Sequence, residues 1–134
     1  MTPLSADLLT DCLAQLDRTH QDGTITDHSV ATMRTWLTEA RYSEFAEPLA
    51  NLIQRAKSDK DIWKSLDDAY WTVIPFGTGG RRGKMFPVGS NAINDRTIGE
   101  SAQGLAEYVT ETCHAEGEPR CTIAYDTRHR SEHF

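Results

Sequence analysis

Pro75-Phe76-Gly77-Thr78-Gly79-Gly80-Arg81-Arg82-Gly83-Lys84 puts four glycines and three cations into ten residues. Trp71, Val73 and Ile74, all β-forming, lead into it. The sequence before the stretch reads as helix, and the sequence after it reads as α/β. Glycine lets backbone N–H groups approach an anion closely and takes φ > 0 without penalty. Successive N–H groups in such a turn form a concave anion site, and arginine adds a rigid fork of donors matched to phosphate. Two readings are open: a loop that grips a phosphorylated ligand, or a glycine-rich hairpin with exposed arginines.

Spacing excludes the two commonest phosphate loops. A Walker A loop needs glycine five residues before Gly83-Lys84 and a hydroxyl after the lysine. Thr78 and Met85 stand there. A dinucleotide fingerprint started at Gly77 and Gly79 needs glycine where Arg82 stands.

The chain of 134 residues is long enough for one ordinary domain, or a small domain plus an appendage. Its net charge of −6 is uneven. Residues 1–70 hold twelve Asp and Glu against seven Lys and Arg, and residues 71–134 hold eight against seven. The stretch is thus a basic spot in a nearly neutral half. An acidic chain argues against general nucleic-acid binding, which depends on neutralising phosphates. Three cysteines (Cys12, Cys113, Cys121) with no CxxC pair support neither a disulfide framework nor a zinc site. With no signal peptide and no membrane-length apolar run, a cytoplasmic protein with no membrane partner is expected.

Residues 1–70 form a helical leader by pattern. A first helix spans 5–20, capped by Ser5, stapled by Leu4 and Leu9, and stopped by Gln21-Asp22-Gly23-Thr24. Asp27 or Ser29 opens a second, carrying Val30, Met33, Trp36 and Leu37. A third runs through Phe45, Leu49, Leu52 and Ile53, with Pro48 expected in its first turn. Ser58-Asp59-Lys60-Asp61 fits a capping box for a fourth, bearing Ile62, Trp63, Leu66 and Tyr70. Such segments form a small bundle or pack onto the second half of the chain. Trp36 and Trp63 read as core, and His20 and His28 as helix-end residues rather than metal ligands.

From Trp71 the pattern is α/β. Thr72–Phe76 reads as a strand, which Pro75 confines to a sheet edge or a strand end. Asn94-Asp95 caps a long helix to about His114, with Ile98, Ala102, Leu105, Ala106 and Val109 on its apolar face. Gly99 and Gly104, poor helix formers, suggest close approach of another backbone or a ligand. Ala115–Arg120 reads as a polar turn. Cys121–Tyr125 reads as a strand buried on both faces, with Asp126-Thr127-Arg128-His129 at its C-terminal end, where α/β sheets usually bind ligands. Ser131–Phe134 reads as the first turn of another helix. Two short parallel strands cannot stand alone, so a truncated N-terminal part of a longer protein is expected.

These motifs resemble a known family. Phe76–Gly83 is similar to the FGTxGxRG segment of the α-D-phosphohexomutases, the phosphoglucomutase/phosphomannomutase family. Asn91-Ala92-Ile93-Asn94-Asp95-Arg96-Thr97, Gln103-Gly104-Leu105-Ala106 and Ile123-Ala124-Tyr125-Asp126-Thr127-Arg128 resemble its N-x-x-N-D-x-T, Q-G-L-A and [GA]-Y-D-[ST]-R segments, in order. The resemblance covers residues 71–134; residues 1–70 correspond only loosely to the leader of some bacterial members. It implies an incomplete α/β/α domain I, with a mixed sheet and flanking helices, after the leader.

The resemblance also implies an activity. Family members interconvert hexose 1-phosphate and hexose 6-phosphate through a phosphoserine and a hexose 1,6-bisphosphate intermediate, with one Mg²⁺ at the phosphoserine. Thr78 and Arg82, with Gly80 and Gly83 of the loop, match positions around substrate phosphate. Arg128 matches an arginine that helps order the catalytic region. Lys84 and His129 read as solvated side chains, and Arg81 stands where relatives usually have an apolar residue. The catalytic T-[AS]-S-H-N-P and metal-binding D-G-D-x-D-R segments do not occur in these 134 residues, and Ser131 lacks that context. The phosphoserine and the metal ligands are thus expected downstream, in the remainder of the mutase chain, and the piece is expected to be inactive alone. The alternative is a non-catalytic helical interaction module with an α/β remnant.

Overall fold

The computed structural model describes residues 4–113 and 120–134. It divides into two compact units, Met1–Asn94 and Asp95–Phe134. The change of sequence pattern at Trp71 therefore lies inside the first unit.

The first unit is built on four helices: α1 (Ala6–Gln21), α2 (Asp27–Thr38), α3 (Ser43–Ala56) and α4 (Asp61–Tyr70). Ser5 caps α1 by accepting from the Leu8 N–H, and Gly23 ends the turn after it with φ +71°. The cap of α2 is Thr26, one residue before the expected Asp27, and its hydroxyl accepts from the Ser29 N–H. A single 3₁₀ turn (Ala40–Tyr42) precedes α3. This early start moves Pro48 from the expected first turn into the second. The helix tolerates it there because the bond it omits is among the first of the ladder. The capping box at Ser58 does not form; Asp59 Oδ1 accepts from the Asp61 N–H at 3.1 Å instead.

These helices form a bundle. The stripe repeat of each helix puts Cys12, Leu16, Met33, Leu49, Ile53 and Leu66 into one core, all fully buried. Trp36 stands at its centre: it stacks on Tyr42 at 4.7 Å and meets the Tyr70 edge at 5.2 Å. Trp63 is also buried, so both tryptophans are core, as the sequence predicts. Removing one such aliphatic side chain costs about 2–5 kcal/mol. Polar ties fix the order of the helices. Asp67 of α4 accepts from the Thr26 N–H at 2.7 Å, placing a negative charge at the N-terminus of α2. His20, in the last turn of α1, pairs with Asp27 at 2.5 Å.

After α4 the chain makes a two-residue hairpin, β1 (Phe76–Gly77) antiparallel to β2 (Gly80–Arg81). The expected strand over Thr72–Phe76 is not formed. Its apolar run serves as an anchor: Ile74 is buried, and its N–H donates to the Ser90 carbonyl at 2.8 Å. The chain then returns beneath the hairpin, where Ile93 donates to the Lys84 carbonyl at 2.8 Å, and Val88 enters the helical core.

The second unit contains α5 (Asp95–Thr112). Its apolar stripe is present but not sealed, since Ala102, Leu105 and Ala106 are exposed. Gly99 and Gly104 have nothing within 4 Å of where a Cβ would stand, so the expected close approach is absent. The expected buried strand at Cys121–Tyr125 is also not found: these residues carry no strand, and Ile123 is 84% exposed. A strand is stable only against neighbours, and none flanks this segment among the described residues. His114 and most of the expected polar turn, Ala115–Pro119, lie outside the described residues. At the start of α5, Asp95 receives Arg130 Nη2 at 3.1 Å and His133 Nε2 at 2.6 Å. Those two donors, the His133 bond first, hold the Asp95 carboxyl below its ordinary pKa. Ser131–Phe134 forms one turn, closed by the Phe134 N–H on the Arg130 carbonyl.

Thus the protein is mostly helical, with a small antiparallel sheet, and is consistent with a mixed α/β fragment. No described helix is long and apolar enough to cross a membrane.

Candidate functional site

The loop owes its position to the last turn of α4. A helix leaves its final carbonyls without partners, and here the returning chain supplies them. The Asn91 N–H donates to the Ala69 carbonyl at 2.8 Å, and Asn91 Nδ2 donates to the Asp68 carbonyl at 2.9 Å. Asn94 is buried and donates to the Gly89 carbonyl at 2.9 Å. Ser90 Oγ donates to the Thr72 carbonyl at 2.7 Å. The hairpin is thus suspended from a hydrogen-bonded base at residues 89–94.

Glycine has distinct uses within that frame. Gly80 takes φ +130°, which lets the hairpin close over the Thr78-Gly79 tip. A Cβ on Gly83 would stand 2.7 Å from Ile74 Cδ1, so Gly83 makes room for the anchor. Gly89, at φ +106°, lies against Ala69. The hairpin reading therefore describes the backbone, and the phosphate reading has to rest on what the hairpin presents.

It presents a hollow of about 240 Å³ lined by Pro75, Gly77, Thr78, Gly79, Gly80 and Arg82. Thr78 and Arg82 are both exposed. Among the described residues the Arg82 guanidinium has no hydrogen-bond or ion-pair partner. Lys84 is spent on Asp68 at 3.1 Å, although its side chain is 85% exposed. Arg81, opposite Phe76 in the hairpin, is half-buried. A threonine and an arginine without a partner among the described residues, both lining one concavity, suit an oxyanion such as phosphate.

Part of the sequence is similar to phosphoglucomutase. Two phosphoglucomutases, from two strains of Staphylococcus epidermidis, are each 41% identical to it over 63 residues. That is 47% of this chain and 11% of each relative, so the similarity reaches only a small part of their length. No protein-family profile matches the chain, and no solved structure does.

Of the sequence-derived residues, Thr78, Gly80 and Arg82 come together on one hollow, and Gly83 is next to it in sequence. Arg128 belongs to the second unit. There Nε donates to Asp126 at 2.9 and 3.1 Å, and the Arg128 N–H donates to Asp126 Oδ1 at 3.0 Å. Arg128 holds the Asp126 carboxyl below the usual carboxylate range. His129 is exposed. No group of three His, Cys, Asp or Glu side chains among the described residues is arranged to hold a metal ion. Sequence reasoning misses the positioning roles of Gly89, Asn91 and Asn94. Asn91 and Asn94 stand out in the sequence as part of the N-x-x-N-D-x-T resemblance, and Asn94 as a helix cap, but neither signal says that they hold the base of the loop.

Proposed function

We propose that the chain is the N-terminal part of a phosphohexomutase, and that its loop grips a hexose phosphate. The observation that carries this reading is the 41% identity to phosphoglucomutases over 63 residues. It is supported by the convergence of Thr78, Gly80 and Arg82 on one hollow with a free guanidinium. In this account residues 1–70 are a helical leader and residues 71–134 begin the family's α/β/α domain I.

The whole enzyme would interconvert hexose 1-phosphate and hexose 6-phosphate in the cytoplasm, with hexose 1,6-bisphosphate as intermediate and activator. The metal and the phosphoserine are assigned to the downstream chain by the family resemblance, and no step here runs through either. This piece binds and orients. Arg82 would hold a phosphate oxygen by a charge-assisted bond, Thr78 would donate its hydroxyl, and Gly80 and Gly83 would keep the backbone close. Arg128 would order the region around its loop.

The test is the coding sequence beyond Phe134. A T-[AS]-S-H-N-P segment within about 20–40 residues, one further βα unit, is the expected result; an immediate stop codon would contradict it. Purified alone, the 134-residue chain should not convert glucose 1-phosphate with the bisphosphate present. One observation favours the alternative of a helical interaction module: α1–α4 supply nearly all of one core, to which Val88 adds. The stop codon would be its evidence.

A further inference from the structure

Arg82 also lines a second hollow, of about 330 Å³, within the first unit. It is within the size range of small-ligand sites, about 300–1,000 Å³. One wall is the 65/68/69 face of α4 followed by Trp71, and the other is the chain from Arg82 to Phe86. Its chemistry is mixed in a particular way. Lys84 and Asp68 neutralise each other at 3.1 Å. Arg82 lacks a partner among the described residues, and this leaves the hollow with one uncompensated positive charge. The apolar lining is not sealed: Trp71 is 52% exposed and Met85 44% exposed, with Phe86 half-buried beside them. An exposed indole and an unpaired guanidinium lining one hollow suit a flat apolar body carrying a single anionic group. The ring stacks on the indole, and the anion meets the fork.

We infer that this hollow is a second ligand site, selective for aryl anions such as an aryl phosphate, and that it competes with the hairpin hollow for Arg82. Arg82 lines both. One guanidinium cannot make its full set of bonds to two anions at once. Occupancy of this hollow therefore weakens phosphate binding in the hairpin hollow. The competition rests on the phosphate-gripping reading proposed above, whereas the aryl-anion site itself does not.

The experiment titrates phenyl phosphate and, separately, inorganic phosphate into the purified chain, by calorimetry and by tryptophan fluorescence. Phenyl phosphate should bind at least about tenfold more tightly than inorganic phosphate, the usual scale of one aromatic stack. It should quench emission, since Trp71 is the exposed tryptophan. Trp71→Ala and, separately, Met85→Ala should reduce that preference while keeping the helical circular dichroism of the wild type. Equal binding of the two ligands, or a preference untouched by both substitutions, would overturn the site. Glucose 1-phosphate is then titrated with and without saturating phenyl phosphate. Its apparent Kd should rise in the wild type; an unchanged Kd would overturn the sharing of Arg82. If glucose 1-phosphate does not bind under either condition, the phosphate-gripping reading and the competition built on it fail together. The phenyl phosphate preference still decides the aryl-anion site.

Discussion

Gly89 is pressed against Ala69: a Cβ at position 89 would stand 2.5 Å from the Ala69 carbonyl oxygen and 2.7 Å from the Ala69 Cβ. The backbone there has φ +106°, a conformation that L side chains rarely adopt. This contact lets the returning chain lie on the end of α4, so that Asn91 can reach the Asp68 and Ala69 carbonyls. Gly89→Ala adds strain and overpacking together. It should destabilise the first unit by about 2–4 kcal/mol, measured by urea unfolding. A loss below about 1 kcal/mol would show that the base of the loop is not held as described.

The helical half is legible because its signals are local. A cap at Ser5, a stop at Gly23 and an apolar repeat every three or four residues act within one turn of the chain. The differences there are shifts of a few residues: Thr26 caps α2 one residue early, Asp59 and not Ser58 accepts at α4, and α3 starts early enough to put Pro48 in its second turn. The strands differ for another reason. Thr72–Phe76 and Cys121–Tyr125 have strand composition, but a strand exists only when another backbone pairs with it, and composition does not report the partner. Ile74 is a core anchor instead, and Ile123 is exposed. At the site, the family resemblance singles out Thr78 and Arg82 on one loop. It does not reveal that Asn91 holds that loop to α4, since the contact spans 23 positions of sequence.

Tyr70 is fully buried, and its hydroxyl has no hydrogen-bond partner among the described residues. Burial raises its pKa well above the ordinary value. A buried hydroxyl without a partner is a cost to the folded state. Tyr70→Phe keeps the ring against Trp36 and removes that cost, so stability should rise by about 1 kcal/mol or stay level. Thermal unfolding checks this. A drop of more than about 1 kcal/mol would mean the hydroxyl is satisfied.

Asp11 joins α1 to α3, accepting from Lys57 Nζ and Gln54 Nε2, both at 2.6 Å. The Lys57 bond, then the Gln54 bond, holds its carboxyl below the ordinary carboxylate value. A depressed folded pKa means the unfolded chain takes up the proton first. The stabilisation is complete above the unfolded value of about 3.9 and is lost as pH falls through the lower folded value. Asp11→Asn should therefore lose less stability than the wild type between about pH 5 and about pH 3. Parallel urea midpoints for the two proteins across that window would contradict the linkage.

The central claim is that the loop grips phosphate through Arg82, and the direct measurement is a calorimetric titration of glucose 1-phosphate into the wild-type chain and Arg82→Ala. Arg82 is exposed, so its removal should leave the thermal midpoint unchanged. The account predicts that the wild type binds and that the variant loses about 1.5–3 kcal/mol, on the order of ten- to a hundredfold in Kd. Equal affinity in the two proteins, or no binding by the wild type, would contradict it.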